Sequence, residues 1–101
     1  MTSTLSALDS GELRRIAEIL KCIAHPARLR VVEVLNEKEK LNVTELRKYT
    51  GLEQSLLSHH LIKMKDKGVL TSERQGKNIF YALTDTNITK IFDCMSNCQL
   101  I

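Results

Sequence analysis

Residues 44–70 read TELRKYTGLEQSLLSHHLIKMKDKGVL, and this stretch decides the fold. Thr44 to Tyr49 has the pattern of a short helix, and Thr50-Gly51 reads as a turn. A second helix of about fifteen residues is predicted to come next and to stop at Gly68, where glycine suits a left-handed C-cap. Two helices joined by a tight Gly-containing turn make a helix-turn-helix. In the second helix Leu57, Leu61 and Met64 recur at helical spacing and are predicted to face the core. The opposite face carries Gln54, Ser55, Ser58, His59 and Lys63. These compact or forked hydrogen-bonding groups suit base edges and phosphates. Taken alone, the same residues also fit an ordinary amphipathic helix with a solvated polar face.

The chain around this element is 101 residues long, enough for one domain with a real core but small enough to gain from dimerisation. Its 43% hydrophobic and 27% charged residues exclude a disordered chain. One Pro and four Gly, with abundant Leu, Ile, Glu and Lys, favour a mainly α fold. The net charge is +3, and its placement matters more than its size. Residues 44–81 hold seven Lys/Arg against four Asp/Glu, while residues 1–43 hold seven against six and residues 82–101 one against two. The basic excess therefore sits on the helix-turn-helix and the segment directly after it, as a nucleic-acid partner requires. No apolar run approaches the ~20 residues needed to span a membrane, and the N-terminus lacks a signal-peptide layout. A cytoplasmic protein with no membrane partner is expected. Three cysteines, an odd number, do not suggest a disulfide framework.

Residues 1–8 are small and polar and are expected to fray. Asp9 and Glu12 form a capping pattern that opens a helix to about Ala24, with Leu13, Ile16, Ile19, Leu20 and Ile23 as its apolar stripe. Core packing accounts for that stripe, and so does packing across a subunit interface. His25-Pro26 breaks the chain, and Pro26 fits the first position of a second helix, with His25 as a cap or packing residue. In that helix Leu29, Val32 and Leu35 point inward and Arg28 and Arg30 outward. The run Asn36-Glu37-Lys38-Glu39-Lys40 reads as a solvated loop, and Leu41-Asn42-Val43 as a bridge or short strand. Asn42 and Glu45 repeat the capping pattern.

Beyond Gly68 the period changes to alternation. Val69–Arg74 and Ile79–Leu83 are strand candidates around the turn Gln75-Gly76-Lys77-Asn78. A small hairpin after a helix-turn-helix looks like a wing, with Arg74, Gln75 and Lys77 at its tip for phosphate or the minor groove. Thr84 or Asp85 caps a last helix from about Asn87, with Ile88, Ile91, Phe92, Met95 and Gln99 on one face. A two-fold partner would cover that face and match a palindromic operator.

The order of these elements, with His25, Pro26, Arg28, Leu29 and Arg30, then Gln54, Ser55, Ser58, His59, His60 and Leu61, then Gly68, Val69, Arg74, Gly76, Tyr81 and Leu83, resembles the ArsR family of winged-helix bacterial transcriptional repressors. The likeness covers residues 10–98 and rests on joint spacing rather than on any single motif. It implies a winged helix-turn-helix of about five helices over residues 1–101, with the helix-turn-helix at 44–68 and the wing at 69–83. It implies a homodimer joined through helices 9–24 and 86–101. It also implies a function: binding a double-stranded operator, with release by an inducer. By position, Gln54, Ser55, Ser58 and His59 would face the major groove, and Arg74, Gln75 and Lys77 would be wing contacts. Glu53 departs from the family's small polar residue, which implies that it turns away from phosphate or reads a cytosine amine.

Two metal sites common in that family have no match here. Asn42, Val43, Thr44, Glu45 and Leu46 hold no thiolate, and of Asp85, Asn87, Cys98 and Ile101 only Asp85 is a usual ligand. No metal and no cofactor is expected. Cys94 and Cys98 are four apart, on adjacent turns of the predicted helix, and Cys22 could approach them if the first and last helices pack together. Three readings stay open for Cys22, Cys94 and Cys98: inert apolar residues, a thiol redox or persulfide sensor, or a soft-metal site. His59 and His60 point about 100° apart and do not readily chelate one ion. No catalytic constellation is visible, so an enzyme is not expected. The alternative to operator binding is a winged-helix protein-interaction module without a direct DNA role.

Overall fold

Both predicted capping boxes form. The Asp9 carboxylate accepts from the Glu12 N–H at 2.7 Å while Glu12 reaches back to the Asp9 N–H, and this opens α1 (Ser10–Ile23). The computed structural model describes residues 8–98; most of the predicted tail and Gln99 lie outside them. Helix α2 (Pro26–Lys38) starts with Pro26 inside the first turn, and His25 Nδ1 accepts from the Ala27 N–H as its N-cap. Strand β1 (Lys40–Asn42) leads into α3 (Val43–Thr50), whose cap Asn42 and Glu45 form the second box. Gly51, at φ 71°, turns the chain into α4 (Gln54–Asp66).

Strands β2 (Leu70–Gln75) and β3 (Asn78–Leu83) form the hairpin, and β1 joins its far side in the order β1-β3-β2, all antiparallel. Gln75 pairs with Asn78, so Gly76 and Lys77 alone make the turn. Gly76 has φ 64°, the positive first position that a type II′ hairpin turn demands. A 3-10 turn (Thr86–Thr89), capped by Asp85, then runs into α5 (Lys90–Ser96).

Leu57, Leu61 and Met64 of α4 are fully buried, as their spacing predicts. They pack with Val31, Val32 and Leu35 of α2, Leu46 of α3, and Leu70, Tyr81 and Leu83 of the sheet. Four expectations need correction. The stripe of α1 enters this core only in part: Ile23 is buried and Ile19 packs against it, while Leu13, Ile16 and Leu20 are 53%, 41% and 43% exposed. The run 36–40 is no loop, because α2 continues through Lys38 and only Glu39, at φ 69° and ψ −58°, turns the chain. Arg28 does not point outward. Its guanidinium is drawn inward, donating from Nε to His60 Nδ1 and from a terminal nitrogen to the Cys22 carbonyl, each at 2.9 Å. Finally, α5 ends before Cys98. Ser96 Oγ and Asn97 Nδ2 both donate to the Asp93 carbonyl, local bonds that compete with further helix.

His60 is only 4% exposed, with the His25 ring 4.6 Å away edge-on. Burial, then the charges of Arg28, His25 and His59, push its pKa below the usual histidine value. Arg30 is the other cation lining the cavity beside it, and its partner is Glu33. An Nδ1 that accepts from Arg28 must be unprotonated, so the fold holds the neutral ring. The unfolded chain takes up the proton first, and stability is lost as pH falls through about 6.5 toward the lowered value. Thermal midpoints should therefore hold steady above about pH 7 and drop below it. In His60→Asn the Oδ1 keeps an acceptor for Arg28 without a titrating ring, so that variant should lose this part of the drop. Parallel curves for the two proteins would remove His60 as the cause. Glu39→Gly should raise stability by about 1 kcal/mol, since glycine adopts positive φ without strain; denaturant midpoints check this, and no gain would mean the turn carries no strain.

Candidate nucleic-acid interface

Two helix ends position the exposed face of α4. On one side of the turn, the Gly51 N–H closes α3 on the Arg47 carbonyl, and the Thr50 hydroxyl donates to Leu46 O while accepting from the Leu52 N–H. On the other side, Glu53 is the N-cap of α4. One of its carboxylate oxygens accepts from the Ser55 N–H at 2.7 Å, the Leu56 N–H at 3.1 Å, and the Ser55 hydroxyl in a short contact. The Ser55 hydroxyl first, then the two backbone donors and the Arg47 charge, hold the Glu53 carboxyl below the usual carboxylate range. Neither reading suggested by the sequence describes this residue fully: its charge is spent on the helix terminus, where a carboxylate is favoured. Glutamate is not among the preferred N-cap types, so the signal was weak in the sequence.

Gln54, Ser55, Ser58 and His59 line one open concavity of about 740 Å³, together with Arg47, Glu53 and Ile62. Gln54, Ser55 and His59 are exposed and Ser58 is half-buried. The core residues Leu57, Leu61 and Met64 occupy the other side of the same helix, which explains why the polar set stands clear of the fold. Lys63 is exposed but is not part of this surface. It lines a separate cavity between α1, α2 and α4, with Glu18, Lys21, Cys22, Arg28, Asp66 and Lys67.

At the wing tip Arg74, Gln75 and Lys77 are all exposed. Arg74 Nε donates to the Gly76 carbonyl at 3.3 Å, while Gln75 Nε2 donates to Glu73, which also pairs with Lys40 at 3.2 Å. Lys77 projects from the turn itself. The sequence reading missed two residues of the concavity, Arg47 from α3 and Ile62 from α4. Arg47 had a signal, since it is a cation on the exposed flank of the first motif helix. Ile62 sits among hydrogen-bonding groups and had none.

Cys22 is buried, its Sγ facing the Lys63 carbonyl at 4.0 Å and the Arg28 guanidinium at 3.8 Å. Cys94 is exposed on α5, and Cys98 is half-buried beyond the helix end. Phe92 of α5 lines a cavity with Pro26, Leu29, Arg30 and Glu33 of α2. All three thiols are free, and because α5 ends at Ser96, Cys94 and Cys98 do not share a helix face. Among the described residues, no group of three or more His, Cys, Asp or Glu converges as a metal cage, and no helix is long and apolar enough to cross a membrane.

Comparison with known proteins agrees with this arrangement. Residues 25–72, from the cap of α2 through the start of β2, match the family model described as bacterial regulatory protein, arsR family. The chain is 40% identical over 83 residues to the transcriptional repressor PagR of Bacillus anthracis, covering 82% of this chain and 83% of that one. It is 35% identical over 86 residues to the HTH-type transcriptional regulator NmtR of Mycobacterium tuberculosis, covering 85% and 71%. The crystal structure of PagR superposes with a TM-score of 0.77 at 38% identity, over 86% of this chain and 99% of that one. The winged helix-turn-helix frame, the matched span and the two relatives agree: the chain belongs to the ArsR family of bacterial regulatory proteins.

Proposed function

We propose that this chain is a transcriptional repressor that binds a double-stranded operator as a homodimer. The observation that carries the reading is the convergence of Gln54, Ser55, Ser58 and His59 on one exposed concavity beside Arg47. In this reading those four side chains meet base edges in the major groove. Lys63, Arg47 and the wing residues Arg74, Gln75 and Lys77 meet the sugar-phosphate backbone or the minor groove. The relatives' descriptions as repressor and regulator support the same assignment.

The dimer rests on α1. Its exposed Leu13, Ile16 and Leu20 form an apolar stripe at helical spacing, and Met95 of α5 is also exposed. A contiguous apolar face of this kind marks an interface. A second copy related by a two-fold axis would bury it and set two α4 helices against two half-sites. No releasing signal is assigned: Cys94 lies on α5 and Cys98 just past its end, and thiol oxidation and inert thiols are the two readings that the operator assay separates.

Fluorescence-anisotropy titrations on the region upstream of the chain's own gene, at several salt concentrations, test the operator reading. Affinity should fall steeply with salt. Lys63→Ala and Lys77→Ala should weaken binding to specific and random duplexes alike and each lower the salt slope by about 1. Gln54→Ala and Ser58→Ala should cost about 1–3 kcal/mol on the specific site and little on random DNA. Equal losses on both duplexes for both groups would reverse the assigned roles. Under the thiol-oxidation reading, oxidised protein should release the operator and rebind after reduction, and the double variant Cys94→Ser/Cys98→Ser should not release; release by that variant would exclude these thiols. In sedimentation equilibrium the 11.5 kDa chain should run as a dimer, and Leu13→Glu with Ile16→Glu should reduce it to one chain mass. A monomeric parent would rule out the α1 interface.

A further inference from the structure

Ile62 is 54% exposed, the most exposed large apolar side chain among the described residues. Six of the other eight have local explanations. Leu13, Ile16 and Leu20 belong to the α1 stripe. Leu56 borders a cavity against His25 and Pro26, and the Lys38 ammonium lies 5.1 Å from the Tyr49 ring centroid. Ile79 stands opposite Arg74 in the hairpin. Ile62 has no such neighbour. It lines the concavity with Gln54, Ser55, Ser58 and His59, whose other side chains are all hydrogen-bonding.

Its angular position is informative. At about 100° per residue, with Gln54 at zero, Ser58, Ile62, Ser55 and His59 fall at about 40°, 80°, 100° and 140°. Leu57, Met64 and Leu61 fall at about 300°, 280° and 340° on the same scale. Ile62 therefore sits near the middle of the exposed face, almost opposite the core. Lys63, at about 180°, is at its edge. Lys65 falls at about 20°, three residues beyond Ile62 toward the helix C-terminus, so cations border the face: Arg47 lines the concavity, and Lys63 and Lys65 stand on α4 around it.

We infer that Ile62 is a specificity-determining residue that reads the 5-methyl group of a thymine. This inference rests on the operator-binding reading. The thymine methyl is the apolar feature that base edges present in the major groove. On the same face Gln54 matches the N6/N7 edge of adenine. Gln54 and Ile62 are roughly 12 Å apart along the helix, so they meet different base pairs. In this reading the half-site under α4 holds an adenine under Gln54 and a thymine methyl under Ile62. Ile62 contributes discrimination there rather than electrostatic affinity.

The test begins with the full chain selecting its preferred duplex from a random-sequence pool. Each thymine of that duplex is then replaced singly by deoxyuridine, which removes only the methyl group. The wild-type chain should bind about fourfold more weakly at one thymine per half-site, the fold-change of exposing one buried methyl. Ile62→Ala should bind the all-thymine duplex more weakly and be indifferent to that same replacement. Because Ile62 is exposed, its thermal midpoint should match the parent's. Ile62→Lys should bind specific and random duplexes more tightly and also lose the methyl sensitivity. Wild-type binding that is unchanged by every deoxyuridine, or an Ile62→Ala variant that keeps the sensitivity, would overturn the inference while leaving operator binding intact. Failure of the wild-type chain to enrich any sequence would overturn the operator reading itself, and this inference with it. A partner protein would then be the occupant of the Ile62 face.

Discussion

One side chain, Arg28, ties three helices of this fold together. It stands on α2, donates to the carbonyl of Cys22 near the end of α1, and donates to His60 on α4. The apolar core fixes how deep α4 lies, because Leu57, Leu61 and Met64 must all be covered. Apolar contacts are non-directional, however, and a helix seated by them alone keeps some freedom to roll and slide. A guanidinium held at two directional bonds removes that freedom. The roll of α4 decides which residues face outward, so the concavity of Gln54, Ser55, Ser58 and His59 depends on this contact.

That dependence requires a neutral His60. The ring is a hydrogen-bond acceptor toward Arg28 and is surrounded by further cationic or protonatable groups at His25 and His59. Protonation would replace an attraction with a repulsion next to the helix that carries the exposed face. At the N-terminus of the same helix, Glu53 solves the opposite problem. Its negative charge would repel phosphate if it were free. Spent instead on two backbone N–H groups and the Ser55 hydroxyl, it stabilises the helix start and also fixes the rotamer of Ser55. The hydroxyl proton of Ser55 is committed to Glu53, which leaves its oxygen as an acceptor.

Much of this was legible in the sequence because it obeys local rules. Asp9 and Glu12, Asn42 and Glu45, Pro26, Gly51 and Gly76 each act within four residues of their own position, and each does what its chemistry requires. The period of Leu57, Leu61 and Met64 survives because these residues have a single apolar environment to enter. Two of the misreadings are non-local. An apolar stripe such as Leu13, Ile16 and Leu20 looks the same in sequence whether it meets its own core or the solvent side of the protomer. Arg28 reads as a surface cation until two carbonyl or imidazole acceptors, six and thirty-two residues away, are brought beside it. The early end of α5 is a competition between Ser96, Asn97 and the backbone for one carbonyl, which hydrophobic spacing does not register. Ile62 was missed because a pattern of polar residues hides a single apolar one at its centre.

The distribution of charge over the proposed interface explains how a chain of net charge only +3 can suit a polyanion. Arg47 lines the concavity, Lys63 and Lys65 stand on α4 around it, and Arg74 and Lys77 cap the wing, while Gln54, Ser55, Ser58 and Ile62 between them carry no charge. Phosphate contacts made at the flanks release counterions and weaken with salt, and they act on every sequence. Contacts made by neutral amide, hydroxyl and apolar groups at the centre depend little on salt and act only on matching bases. A cation at the centre would add affinity for all DNA and so narrow the gap between specific and random sites. Keeping the centre neutral leaves total affinity modest per protomer, and a dimer recovers it by engaging two half-sites at once. In the proposed dimer the exposed stripe of α1 and the neutral side chains of α4 are parts of one design: a second copy docked on the stripe lets those side chains remain selective.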